Sequence, residues 1–334
     1  MSKITTVGID LAKNVFSIHA VDGSGAVTLR KTVTRTRLVA TVAQWPACVI
    51  GLEACSGAHE WARRFAELGH TVRIMAPRFV VPYRRRGKND GNDAEAICEA
   101  VQRPSMRFVP VKSAEQQAVL TLHRVRQGFV EERTALINRV RGLLAEFGIA
   151  LPNRAVEVRR GAAREAEALP ALARAAIGDM LQHLDILEER IKGYDAQLEH
   201  LAHSSGAAKR LMTVPGVGPI TALATVASVG SAHEFSNGRQ FAAWLGLVPR
   251  QWSTGGKARL GRITKRGDAY LRTLLIMGAR AALQMAARHD DRLSRWARAL
   301  RERCGYHKAV VALAAKNARI MWALLSKETE FQRI

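Results

Sequence analysis

Residues 5–33, TTVGIDLAKNVFSIHAVDGSGAVTLRKTV, decide how the chain is read. Thr5 to Ile9 make a short apolar run that ends on an acid, Asp10. Val15 to Val21 alternate apolar with small or polar residues, Gly23–Gly25 supply a turn, and Val27 to Val33 alternate again. Alternation of period two marks strands with one buried face, so the stretch predicts a three-stranded antiparallel meander. Beyond it, Arg37 to Trp45 reads as a helix stopped by Pro46. Cys48 to Leu52 is a fully apolar strand with Glu53 at its end, and His59 to Leu68 is an amphipathic helix closed by Gly69. Val72 to Met75 is a further strand before Pro77.

The predicted order β-β-β-α-β-α-β, a basic loop and then a helix from about Asp90 to Gln102 is that of the ribonuclease-H-like (RuvC-like) nucleases. Its acids stand out. Asp10 and Glu53 each close a buried strand, where a carboxylate is costly unless it is paired or holds a cation. In Arg84–Ala96, RRRGKNDGNDAEA, the bases Arg84, Arg85, Arg86 and Lys88 lead into Asp90 and Asp93, which open the predicted helix. Four carboxylates converging at the strand ends would repel one another without a metal. Hard oxygen donors with open positions suit Mg²⁺, with Mn²⁺ as a substitute. Two such ions roughly 4 Å apart can activate a nucleophile and stabilise a leaving oxygen. The basic run, and Lys13 three residues after Asp10, are expected to position phosphates.

The rest of the chain reads as helical. Pro104 and Pro110 mark a boundary. From Ala114 to Phe147 there is no proline, and Phe129, Leu136, Val140, Leu143 and Phe147 keep an a/d-like spacing. Residues 152–169 are Arg/Glu/Ala-rich and weakly patterned. A second long helix is expected from Met180 to Ala202, with Leu184, Leu187, Ile191, Tyr194, Leu198 and Leu201 at heptad spacing. Two such helices predict an antiparallel hairpin or a coiled coil between molecules. Ser204–Gly206 marks the next boundary. The chain therefore divides into a metal-dependent α/β domain (1–110), a long-helix coiled-coil linker or oligomerisation region (111–205) and a mainly helical domain (206–334).

In the last part, the segment PGVGP between two helical patterns is a helix-hairpin-helix signal. Gly216 and Gly218 would let backbone N–H groups approach phosphate. Phe241 to Leu247 predicts a short apolar helix. The segment RQWSTGGKARLGRITKRGDAYLR is expected to form an ordered loop that touches phosphate through Lys257, Arg259, Arg262, Lys265 and Arg266. Three more helices follow, with Trp296, Leu300, Ile320, Trp322 and Leu324 in their core.

Composition points the same way. Among 334 residues, Lys plus Arg number 51 against 29 Asp plus Glu, a net charge of +22, spread along the whole length. That balance favours a polyanion, above all nucleic acid. Cys48, Cys55, Cys98 and Cys304 form no CxxC pair, which argues against structural zinc and suits a reducing compartment. With no signal-peptide pattern and no apolar run read as membrane-spanning, a soluble cytoplasmic protein is expected.

GIDLAK, LEACSG, KNDGNDAEAI, TVPGVGPITA, FAAWLGLVPRQ and STGGKARLGRITKRGDAYLRTLL occur in that order over nearly the whole length. In this the chain closely resembles the insertion-sequence transposases that join a RuvC-like DEDD domain to a transposase-20-type domain (the IS-one-ten family). The resemblance implies that Asp10, Glu53, Asp90 and Asp93 are the metal ligands and that Ser253 is a nucleophile of the second domain. It implies donor and target DNA as substrates, a structured non-coding guide RNA (bridge RNA), and a homo-oligomer, dimer to tetramer, with composite active sites. The family often carries a second serine where this chain has Thr254, so either hydroxyl is a candidate. No histidine lies in the loop, the nearest in sequence being His233, so a local Ser–His dyad is not indicated. The alternative reading is a RuvC-like, structure-selective nuclease (a junction resolvase) with water as nucleophile. A nucleic-acid-binding scaffold and an actin-like ATPase are weaker rivals, and the chain lacks a convincing second phosphate loop for the latter.

Overall fold

The structure is a computed structural model and describes residues 3–84, 87, 89–152 and 154–332. The chain separates into two compact units, Met1–Gln117 and Ala118–Ile334.

The first unit is built on a mixed sheet. The meander appears as β1 (Thr6–Asp10), β2 (Val15–Val21) and β3 (Val27–Thr34). Then come α1 (Arg35–Val42), β4 (Val49–Glu53), α2 (Ala58–Glu67), β5 (Thr71–Met75), α3 (Pro77–Val80), α4 (Asp90–Val101) and the short β6 (Phe108–Val109). The strand order is β3-β2-β1-β4-β5-β6. β1, β4 and β5 run parallel, and β2, β3 and β6 pair antiparallel with their neighbours.

Alternation along the strands assigns the two faces. Val7 and Ile9 of β1, Ile50 and Leu52 of β4 and Phe16 of β2 are buried with Trp61 and Phe65 of α2. The Phe16 and Trp61 rings meet edge to face at 5.3 Å. The opposite face is nearly bare at its centre, where Gly8 and Gly51 lie opposite each other in the β1–β4 register. A Cβ on Gly8 would fall 2.2 Å from the Ala94 carbonyl oxygen and 2.4 Å from the Cys98 nitrogen. A Cβ on Gly51 would fall 3.0 Å from Val101 Cβ and 3.1 Å from Ile97 Cγ2. Helix α4 therefore lies directly on the sheet backbone, closer than any side chain would allow.

The second unit is mostly helical. It contains most of α5 (Ala114–Ala145), then α6 (Ala155–Ala166), α7 (Ala171–Ser204), α8 (Gly206–Met212), α9 (Pro219–Val229), α10 (Gly238–Trp244), the ribbon β7 (Pro249–Thr254) and β8 (Lys257–Ile263), α11 (Ala269–Met285), α12 (Arg292–Cys304) and α13 (Tyr306–Lys327). α5 and α7 pack on each other within the chain. Leu136, Val140 and Leu144 share a core with Leu184 and Leu187. Phe129 meets Tyr194, and Arg126 pairs with Asp195, so residue numbers rise on one helix as they fall on the other. The heptad seam is thus covered intramolecularly by an antiparallel partner.

Two elements differ from expectation. Residues 155–166 are helical although their pattern is weak, because Val158, Ala162 and Ala166 recur every four residues and supply a narrow buried stripe. The segment expected as a loop is a two-stranded antiparallel ribbon. Gly255 and Gly256, with φ of 56° and 76°, form the two-residue turn that matches strand twist.

By length and composition α13 could cross a membrane, contrary to the expectation that no apolar run would be that long. It is instead the central core helix of this unit, with Val310, Leu313, Ala314 and Met321 buried against Phe241, Leu271 and Leu275. The PGVGP turn is clamped beside it. Buried Asn317 of α13 donates to the Pro215 carbonyl (2.9 Å), and Gly216 faces Gly278 of α11 so closely that neither admits a Cβ.

Candidate active site

Asp10 and Glu53 end adjacent parallel strands, so both sit at the same edge of the first unit's sheet. The Gly8–Gly51 seam presses α4 onto that sheet, and the start of α4 is fixed by its cap. The Asn89 side chain accepts from the Asn92 N–H at 2.8 Å, and the Asn92 amide donates to the Gly87 carbonyl at 2.7 Å. Asp90 and Asp93 thus fall in the first helical turn, where the helix dipole favours anions. Asp93 is buried at 8% exposure and Asp90 is exposed.

The four acids share one electrostatic field. Asp10 is pushed up from 3.8 to about 6, chiefly by burial, then by the charges of Asp93, Asp90 and Glu53, while Arg84 opposes the rise. The Cys55 thiol is likewise raised, by burial first and then by Glu53 and Asp10. Arg84 does not reach for solvent. Its Nε lies 2.5 Å from Asp93 Oδ1, a contact of charge without hydrogen-bond alignment, which leaves that buried carboxylate oxygen without a hydrogen-bond partner. Among the described residues no three His, Cys, Asp or Glu side chains are gathered tightly enough to enclose an ion. The Arg84 guanidinium is the counter-charge nearest Asp93. Arg85, Arg86 and Lys88 lie outside the described residues. Lys13 is exposed in the β1–β2 turn.

Ser253 lies in the second unit on β7, opposite Ala258 of β8. All of β7 is exposed, as is β8 apart from Ile263. Ser253 Oγ accepts from the Gln251 amide at 2.7 Å, a group that takes no proton from it. Thr254 pairs with Lys257 next to the turn. Lys257, Arg259 and Arg262 line β8. At the ribbon's base, Lys265 adopts a left-handed φ of 53° and donates its N–H to the Gly246 carbonyl, beside exposed Arg266. Gly218 is exposed at the cap of α9, while Gly216 is turned onto α11.

Sequence reasoning passed over three features. The Gly8–Gly51 seam was signalled by the repeated Gly-x-acid of GID and GLE. Gly278, the counterpart of Gly216, carried no local signal. Trp252 and Arg250 lie inside the basic segment, where no spacing sets them apart from their neighbours.

An α/β sheet with acids at the ends of neighbouring parallel strands, joined by two more on the helix laid across it, is an arrangement suited to a divalent cation and a phosphate substrate. Residues 7–149 match the DEDD transposase family model, and residues 208–294 match the model described as Transposase IS116/IS110/IS902 family. The chain is 51% identical to a "Probable family 20 transposase" of Pseudomonas aeruginosa, covering 98% of both chains. It is 43% identical to the "Transposase for insertion sequence element IS1111A" of Coxiella burnetii, over 99% of this chain and 92% of that one. It is 40% identical to the "Transposase for insertion sequence element IS1328" of Yersinia enterocolitica over the full length of both. The chain belongs to the IS110 family of insertion-sequence transposases, enzymes that cleave and rejoin DNA.

Membership of a DEDD transposase family usually implies a divalent metal. The donor chemistry of the residues fits one, although no three of these side chains are drawn together among the described residues. The donors are hard carboxylate oxygens, one of them a buried oxygen lacking a hydrogen bond, in a field that already strains Asp10.

Proposed function

We propose that this transposase is a Mg²⁺-dependent, RNA-guided, site-specific recombinase that breaks and rejoins DNA through a serine nucleophile. The observation that carries the reading is geometric: Asp10 and Glu53 end adjacent parallel strands, and Asp90 and Asp93 open the helix seated directly on those strands. The strand order 3-2-1-4-5 with an antiparallel first hairpin supports a ribonuclease-H-like, RuvC-like first domain over residues 1–110. Residues 111–205 are the linker and oligomerisation region, and 206–334 the serine domain with its helix-hairpin-helix-like turn.

Asp10, Glu53, Asp90 and Asp93 would hold the ions, Mg²⁺ or in its place Mn²⁺, which supply Lewis-acid stabilisation of phosphate charge. Ser253 Oγ forms a bond to phosphorus as the bond to the leaving strand oxygen breaks, its hydroxyl proton passing to water and the leaving oxygen taking one up, which gives a phosphoserine link that the hydroxyl of a second strand end resolves by the reverse exchange. Thr254 is the alternative hydroxyl. Lys257, Arg259, Arg262, Lys265 and Arg266 offset the charge that builds on phosphorus. Lys13, Arg84, Arg85, Arg86, Lys88 and the turn of Gly216 and Gly218 position nucleic-acid backbone. A structured non-coding RNA selects donor and target DNA, and the enzyme works in the cytoplasm as a homo-oligomer, up to a tetramer, with the serine of one subunit serving the acids of another.

A strand-transfer assay on paired donor and target DNA tests this. Asp10→Ala and Ser253→Ala should each abolish recombination, and only chains retaining Ser253 should form a covalent protein–DNA adduct. Recombination at the wild-type rate by either variant refutes that residue's role. Hydrolysis products without an adduct would point to water as the nucleophile. Sequencing RNA that co-purifies with the chain tests the guide: a discrete species encoded beside the gene is expected, and random RNA argues against it.

A further inference from the structure

The serine ribbon carries a second feature that catalysis does not use. Trp252 is 59% exposed on β7, and on the other face of the ribbon Leu260 of β8 is 66% exposed. Side chains alternate along a strand, so Trp252 shares a face with Arg259, its partner in the register, and Ser253 points to the opposite face with Gln251. The indole lies across Gly261, where an added Cβ would fall 2.6 Å from its ring. Gly261 therefore acts as a floor that supports one side of the ring, and the remainder faces solvent. Among the described residues no second aromatic ring and no cation covers it.

Burying a tryptophan is among the most favourable steps in forming a core, yet this one is held out on an exposed ribbon whose charged residues are all basic. Residues 249–267 hold six basic side chains and no acid. An exposed aromatic ring within unbroken positive charge is the pairing that binds a nucleic-acid strand: the cations hold phosphates, and the ring takes the face of an unpaired base.

We propose that Trp252 is a stacking platform for an unpaired base of the DNA strand that Ser253 attacks. The occupant is taken to be DNA because the neighbouring residue on the same strand is the nucleophile proposed for DNA cleavage, and the inference rests on that reading. Stacking would hold that strand against the ribbon, which is anchored only near its base by the Thr264 and Lys265 N–H groups among the backbone bonds of the described residues. Trp252 is thus a positioning residue for the reaction, and Gly261 is the position that keeps its ring flat.

The test is binding of the full chain to a mixed-sequence single-stranded oligodeoxynucleotide whose adenines are 2-aminopurine, with RNA of the same sequence and a blunt duplex run in parallel. Wild type should quench the 2-aminopurine. Trp252→Ala should abolish the quench and weaken binding roughly ten- to a hundredfold with an unchanged salt slope, and Trp252→Phe should retain most of both. Arg259→Ala should do the reverse, keeping the quench and lowering the salt slope by about 1. Thermal unfolding of Trp252→Ala should match wild type, since the ring buries little. If the chain binds DNA and Trp252→Ala binds equally well, the platform is refuted while DNA as partner stands. If only the RNA responds to the substitution, the assignment to DNA is refuted. If the wild type binds none of the three, the platform and the proposed function fall together.

Discussion

The acid site and the serine ribbon are organised in opposite ways. Asp10 and Glu53 are carried by central strands paired on both sides, and Asp93 by a helix seated directly on the backbone of those strands. The strand and helix residues behind these carboxylates, such as Ile9, Leu52, Ala94 and Ile97, are buried. The ribbon has no such support: its strands pair with each other, its residues are nearly all exposed, and it is anchored at its base by the Thr264 and Lys265 N–H groups on the Val248 and Gly246 carbonyls. An isolated two-stranded ribbon is marginal in water. The acid site is therefore held by the packed core, whereas the ribbon is held by its own pairing and the bonds at its base.

Two glycine substitutions should separate these regimes most strongly. Gly8→Ala places a methyl group against the Ala94 carbonyl and the Cys98 nitrogen, both backbone atoms that can yield only if α4 lifts from the sheet. A loss of about 3 kcal/mol in denaturant unfolding is expected, accompanied by loss of divalent-metal binding as Asp93 moves away from Asp10. Gly255→Ala adds a methyl group where nothing lies within 4 Å. The only penalty there is a positive φ, about 1 kcal/mol on closure of the ribbon and none on unfolding of the cores. Equal effects of the two substitutions would mean that the ribbon is as firmly built as the acid site.

A smaller effect comes from titrating the acid site. Asp10 binds its proton more tightly folded, at about 6, than at the ordinary 3.8. Between those values the folded chain holds a proton that the unfolded chain has released, so stability of the metal-free protein falls as pH rises through that window. Asp10→Asn should remove that slope and raise the melting temperature at pH 7 in the absence of metal. A bound cation must displace the same proton, so Mn²⁺ affinity measured by calorimetry should weaken by up to about tenfold per pH unit below 6, and proton release should accompany binding. Affinity independent of pH between 5 and 7.5 would place Asp10 outside the coordination sphere.

How much of this was legible in the sequence follows the same division. The sheet was readable because burial on one face imposes period two on Val15–Val21, and an acid at the end of an apolar run is conspicuous at Asp10 and Glu53. Asp93 was readable as a helix-start acid. The close seating of α4 was not, because a glycine in a strand looks like a weak strand residue until the helix above it is known. Arg84 was expected among phosphate contacts, but its position on Asp93 depends on a meeting between loop and helix that spacing does not encode. The ribbon was passed over for another reason. None of its residues is buried by the fold, so neither face carries the apolar stripe that betrays a strand, although the Gly-Gly turn was a usable signal.

The smallest expected effect is the most informative about the ribbon. Ser253 is exposed, and its Oγ accepts a 2.7 Å hydrogen bond from the Gln251 amide at the surface. Replacing it by alanine exchanges that bond for water around the amide, and surface substitutions of this kind stay within about 0.5 kcal/mol. Ser253→Ala should therefore unfold like wild type in calorimetry while losing the covalent link to DNA. A proposed nucleophile whose removal leaves stability unchanged would sit where the fold itself does not depend on it. A loss of more than about 1 kcal/mol would instead show that Ser253 helps hold the ribbon in shape before DNA arrives, and the contrast with the acid site would fail at the residue where it matters most.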